Sequence, residues 1–168
     1  HAQALESLEI AKSYIINDNA LLAETMLQIG HSYLGMHQQE QAMAAFKEAL
    51  SFGNQELEIK YLHYFLQYKI EINQTTQRID ELALKTPNDA GIRFELAFAA
   101  FQAGQYQKAL QEIQSISTKE FLLTAAYQEL LGDIYFHLGQ ALEANNCWQK
   151  ALTFGEGSIV LSQKITQK

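Results

Sequence analysis

The chain has 168 residues, with 12 Lys and Arg against 19 Asp and Glu, for a formal net charge of −7. That length allows a sizeable core. The acidic balance and the lack of any Lys/Arg cluster argue against a nucleic-acid partner, because phosphate binding draws on concentrated basic side chains.

Glycine and proline are scarce, 9 and 1, so little opposes helix interiors. Leu5, Leu8, Ala11 and Ile15 form a helical stripe that predicts a helix from Ala4 to Ile16 within an N-terminal flank, 1–18. Asn17-Asp18-Asn19 ends it and caps the next helix. A first helix pair, 20–54, sets Ala20–Met36 against Gln39–Phe52, with Gly35 and His37 in its turn and Gly53-Asn54 as its C-cap. The second pair, 55–89, is degenerate. Leu62 and Leu66 keep an apolar face, but its second helix offers only Thr75, Ile79 and Leu82 for a seam. Thr86-Pro87-Asn88-Asp89 closes it, with proline after one helix and Asn/Asp as N-cap of the next. The third pair, 90–116, hinges Ala90–Ala103 to Gln105–Ile116 at Gly104, with Ala109, Ile113 and Ile116 as its seam. The fourth, 117–155, opens on the capping-box pattern Ser117-x-x-Glu120 and is expected to hold one long helix, Thr118–Leu138, before Gly139 turns it into Ala141–Phe154. Gly155-Glu156-Gly157-Ser158 then caps a terminal helix within 158–168, from Ile159 to about Gln167.

The chain also repeats itself. Gly30 and Gly132 lie 102 residues apart, and so do Tyr33 and Tyr135, Ala42 and Ala144, Phe46 and Trp148, and Ala49 and Ala151. That offset is three times 34, the period of a helix-turn-helix repeat. The glycine and alanines suit a place where two antiparallel helices cross, and the Phe46/Trp148 pair supplies a large knob between helices. The spacing Leu-Gly-x-x-Tyr…Ala-x-x-x-aromatic-x-x-Ala-Leu resembles the tetratricopeptide repeat (TPR) family from about Ala20 to Phe154. The resemblance implies one all-α domain over 1–168, a right-handed helical-repeat solenoid of antiparallel helix pairs. The tail Trp148…Leu161…Lys164-Ile165 looks like the closing repeat of many bacterial TPR proteins, which implies a bacterial source and a C-terminal position.

Chemistry-bearing motifs are few. No Gly-rich phosphate loop, G-x-S-x-G, C-x-x-C or H-E-x-x-H occurs, so neither catalysis nor a cofactor is expected. Asp133 and His137 lie four apart, with Glu129 as the nearest third ligand. Tight sites need three or four well-placed ligands, so a solvated helix face and no metal are expected. His31 and His37 fall on different helical faces. Cys147, the one cysteine, reads as a small buried filler. No run of about 18 apolar residues is present, so no transmembrane segment is expected. The compartment, cytoplasmic or periplasmic, stays open, and the start at His1 suggests an excised piece.

The informative feature is apolar excess in Ala90–Ala103. Leu96, Ala97, Ala100 and Ala103 form the stripe expected against partner helices, while Phe94, Phe98 and Phe101 form a second stripe on another face. First helices of repeats line a concave groove, and aromatics there call for a cover, either a ligand or curled neighbouring helices. Carried over from the TPR pattern, groove-facing positions are Glu24, Gln28 and His31, then Lys60, Tyr64 and Tyr68, then Phe94, Phe98 and Phe101, then Glu129, Asp133, Phe136 and His137. Only Lys60 among them is positive, so a clamp for a peptide carboxylate is not expected. The expected function is a non-enzymatic protein–protein interaction scaffold. Its partner-binding groove is expected at Tyr64, Tyr68, Phe94, Phe98, Phe101, Glu129, Asp133, Phe136 and His137, and the partner is a basic-hydrophobic peptide or amphipathic helix. The alternative is a structural spacer or self-association module of a longer chain.

Overall fold

The computed structural model describes residues 1–52, 55–155 and 161–166, which form helices and turns with no strand among them. In chain order the helices are α1 (Ala2–Tyr14), α2 (Asn19–Gly35), α3 (Gln39–Leu50), α4 (Gln55–Gln67), α5 (Ile72–Lys85), α6 (Ala90–Gln102), α7 (Tyr106–Gln114), α8 (Lys119–Leu122), α9 (Ala125–His137), α10 (Ala141–Phe154) and α11 (Leu161–Thr166). The chain divides into two compact units, His1–Glu71 and Ile72–Lys168. The division falls inside the segment 55–89, so α4 and α5 belong to different units.

In the first unit, Asp18 caps α2 by accepting from the Leu21 amide at 2.9 Å. The α2–α3 hairpin closes on Gly30, where a Cβ would lie 2.5 Å from the Phe46 ring. Ala42 and Ala49, fully buried, flank that ring along α3. The Phe46 ring thus occupies the space a side chain at position 30 would need. Leu57 and Phe65 of α4 complete this core, with Tyr61 and Phe65 meeting Phe46 edge-on at 5.3 and 5.7 Å.

In the second unit the degenerate seam is occupied after all. Thr75, Ile79 and Leu82 are buried on the face of α5 that packs against α6. Asp89 caps α6 through the Ile92 amide at 3.1 Å. The α6–α7 pair is pinned by Arg93, which bonds Glu112 at 2.8 Å and the Pro87 carbonyl at 2.8 Å. The α9–α10 hairpin repeats the arrangement of α2–α3: a Cβ on Gly132 would lie 2.5 Å from the Trp148 ring, between buried Ala144 and Ala151.

Two sequence expectations need correcting. The segment Thr118–Leu138 is not one helix. Leu123 and Thr124 separate one-turn α8 from α9, and the Thr124 hydroxyl accepts from the Tyr127 amide at 3.3 Å. A threonine that caps its own downstream amide offers the backbone an alternative to continuing the helix. The Ser117/Glu120 capping box does not form either, since Thr118 is the N-cap of α8 and makes no side-chain cap bond. The expected caps at Gly53-Asn54 and Glu156-Gly157-Ser158, and the start of the terminal helix at Ile159, lie outside the described residues.

One local device recurs in the turns that follow α2, α4, α6 and α9. His37, Lys69, Gly104 and Gly139 adopt φ of 60°, 57°, 74° and 77°. The next amide in each case reaches back five residues, Gln38 to Tyr33, Ile70 to Phe65, Gln105 to Ala100 and Gln140 to Tyr135, each at 2.9 Å. This is the Schellman closure, in which a left-handed residue lets the chain satisfy the last helical carbonyls. The degenerate segment keeps the turn although it lacks the alanine seam.

Gly132→Leu should destabilise the protein by about 1–3 kcal/mol through overpacking against Trp148, read as a lower urea midpoint. An unchanged midpoint would mean that the ring can move aside. Conversely, His37→Gly should stabilise by roughly 0.5–1 kcal/mol, because a β-carbon is disfavoured at left-handed φ, an advantage partly offset by glycine's freedom in the unfolded chain. Thermal melts of the two proteins check this.

Candidate functional site

In the first unit the carried-over positions of α2 and α4 meet one another. Lys60 bonds Glu24 at 3.1 Å, Gln28 reaches the Tyr64 hydroxyl at 3.5 Å, and His31 shares a hydrogen bond of 3.2 Å with the Tyr68 hydroxyl through Nε2. The His31 ring also stacks flat on Tyr64 at 4.1 Å, within 1° of parallel, and meets the His1 ring edge-on at 5.9 Å. Burial lowers the His31 pKa, and the nearby His63 lowers it further. Burial raises the Tyr64 and Tyr68 hydroxyls above their ordinary range. The two tyrosines are therefore engaged by α2 side chains of their own unit.

In the second unit the three phenylalanines run along α6 towards α8 and α9. Phe94 is only 8% exposed and packs on Phe121 at 5.6 Å; the expectation of an open groove at this residue is corrected, because the chain covers it. Phe98 and Phe101 are half-buried against the same core. Phe101 meets His137 edge-on at 5.4 Å, and His137 stacks on Tyr106 at 4.6 Å. Phe136 remains 46% exposed and lies over Trp148 at 5.6 Å.

Glu129 and Asp133, one turn apart on α9, hold the Lys164 ammonium from α11. The distances are 2.8 Å to Glu129 and 2.8 and 2.7 Å to the two oxygens of Asp133. Asp133 Oδ1 also accepts from Trp148 Nε1 at 2.9 Å. Burial raises the Asp133 carboxyl pKa, against the opposing effect of Lys164 and Trp148. Burial also works against the charge on Lys164, but its bonds to Asp133 and Glu129 outweigh this and hold its pKa above the ordinary value. These shifts pull in opposite senses on one ion pair. Direct contact at 2.7–2.8 Å decides for the ionised pair near neutral pH. Among the described residues no group of His, Cys, Asp and Glu is placed to hold a metal ion.

The tetratricopeptide repeat-like domain profile matches residues 72–168, more than half of the chain, and a tetratricopeptide repeat profile matches 23–52. The chain belongs to the tetratricopeptide-repeat family. No curated protein matches it. Among solved structures, MamA of AMB-1 in a P212121 form is similar with a TM-score of 0.50 at 16% identity, covering 91% of this chain and 88% of that one. MamA of MSR-1 in a C2 form gives a TM-score of 0.49 at 13% identity, covering 91% and 92%. The likeness to the first of these concerns the fold alone, an all-α helical repeat. A TPR protein of this kind is a protein-interaction scaffold, and no described helix is long and apolar enough to cross a membrane.

Sequence reasoning missed Lys164 as a member of the TPR surface. A usable signal existed: Lys164 follows Glu129 by 35 residues and Lys60 follows Glu24 by 36, about one repeat length in each case.

The lowered His31 pKa has a definite sign. With the ring packed among Tyr64, Tyr68, His1 and His63, the folded protein disfavours its charged form, whereas the unfolded chain takes up a proton as pH falls through about 6.5. Stability should therefore fall as pH drops below about 6.5, and His31→Gln should flatten that part of the curve. Urea unfolding at stepped pH on both proteins would test it, and parallel curves would refute the assignment.

Proposed function

We propose that this TPR scaffold binds a partner segment carrying apolar anchors and at least one Lys or Arg, an amphipathic helix or an extended basic-hydrophobic peptide. The binding face lies on α9 of the second unit, with Phe98 and Phe101 of α6 behind it. The observation that carries this reading is the ammonium held between Glu129 and Asp133, with half-exposed Phe136 against the Trp148 ring that bonds Asp133. That local chemistry suits one cation next to one aromatic surface, and helix-in-groove binding is a recurrent recognition mode. Charge complementarity at such a face speeds encounter, while the exposed aromatic supplies the anchor.

A display library of basic-hydrophobic and acidic peptides, selected on the intact protein, tests the proposal. Selected sequences should place Lys or Arg within one helical turn of a large apolar residue. Phe136→Ala should reduce their binding by about 1–2 kcal/mol, as loss of an aromatic anchor does. Asp133→Asn should mainly slow association, with an effect that fades in added salt. Selection of acidic peptides, or indifference to both substitutions, would place the partner elsewhere.

A further inference from the structure

One docking arrangement occurs in both units. In the first, α4 lies on the α2–α3 hairpin: Leu57 is buried with Ala42, Phe46 and Ala49, Lys60 bonds Glu24 of α2 at 3.1 Å, and Tyr61 meets the Phe46 ring at 5.3 Å. In the second, α11 lies on the α9–α10 hairpin. Leu161 is fully buried with Ala144, Trp148 and Ala151, Ile165 packs against the same cluster, and Lys164 bonds Glu129 and Asp133 of α9. The docked sequences share a pattern, Leu57-x-x-Lys60-Tyr61 and Leu161-x-x-Lys164-Ile165. Positions i, i+3 and i+4 share one helical face. The buried leucine meets the alanines and ring of the second helix, and the lysine reaches the acid of the first.

We propose that the α9–α10 hairpin carries a seat for a helix of pattern apolar-x-x-Lys-apolar, that α11 fills this seat in cis, and that a partner helix of the same pattern binds by displacing α11. The proposal rests on the basic-partner reading above and adds the regulation of that face. Of the two docked helices, α11 is the exchangeable one. Helix α4 spans 13 residues and also buries Leu62, Phe65 and Leu66. Helix α11 is described over Leu161–Thr166, and these residues seat it through fewer buried side chains than α4 brings to its own hairpin. Its described anchors are one buried leucine, one half-buried isoleucine and one lysine. Releasing it leaves Glu129 and the partly buried Asp133 facing each other without their cation, an arrangement that favours re-occupation by another ammonium.

The test uses the intact chain and one defined probe, the fluorescently labelled peptide Ile-Val-Leu-Ser-Gln-Lys-Ile-Thr-Gln-Lys, residues 159–168 of this sequence, followed by anisotropy. Lys164→Glu in the chain sets a third carboxylate against Glu129 and Asp133 and unseats α11. The probe should bind this variant at least tenfold more tightly than the native chain, whose own α11 competes at high effective concentration. Leu161→Ala, which keeps the charge, should tighten probe binding in the same sense by a smaller factor, and helical melts of both variants confirm that the remaining helices are intact. A probe carrying the Lys-to-Glu change should bind neither form. Equal affinity for the native chain and both variants, or equal binding of the Glu probe, overturns the proposal. If library-selected basic peptides bind the native chain as tightly as the variants while the probe binds none, the basic-partner reading survives and displacement of α11 is refuted. If neither peptide binds any form, both fall.

Discussion

The structure depends on an aromatic ring seated where a side chain is missing. Phe46 lies on Gly30 and Trp148 lies on Gly132, each so close that a β-carbon would overlap the ring. This contact sets how closely the two helices of a hairpin approach. It also explains the neighbouring alanines, since Ala42, Ala49, Ala144 and Ala151 are fully buried beside the rings and any larger residue would lift the helices apart. With that spacing set, the following helix finds a ready surface. In the first unit Leu57 and Phe65 fill it, and in the second Leu161 does.

The polar chemistry is laid over this apolar frame at one repeat length. Glu24 meets Lys60, and Glu129 with Asp133 meets Lys164, so acids on a hairpin's first helix are matched by a lysine on the helix that docks next. Exposed pairs of this kind contribute little to stability. The Lys164 site differs because Asp133 is partly buried and also tied to the Trp148 indole. There the same residues join the core contact to the surface chemistry. Half-exposed Phe136, tilted against Trp148, belongs to the same assembly.

Much of the helical layout was legible because its signals are local. Asp18 and Asp89 announce their caps and accept from the expected amides. Gly104 and Gly139 mark turns that need a left-handed residue, while His37 and Lys69 take the same conformation without advertising it. Local signals also misled. The spacing Ser117-x-x-Glu120 suggested a long capped helix, yet Thr124 starts a new one, because a hydroxyl three residues before an amide is present in both readings and only packing chooses between them. Thr75, Ile79 and Leu82 look like a poor seam but are buried against α6, where burial area matters more than matching an alanine pattern.

By itself, the sequence determined most of the helices and the recurring glycine, alanine and aromatic positions, since these rest on periodicity, caps and a spacing repeated within the chain. Tertiary structure alone decided which apolar and charged residues remain available. Phe94 and Phe98 share one stripe on α6, yet neighbouring helices cover the first more fully than the second. The acids of α9 read as an open row, yet a lysine from α11 occupies them. The physical reason is that burial and ion pairing depend on which elements meet across more than 30 residues of chain, as Lys164 meets Asp133 at a separation of 31. Helical periodicity specifies the face a residue occupies, and only the folded neighbours determine what covers that face.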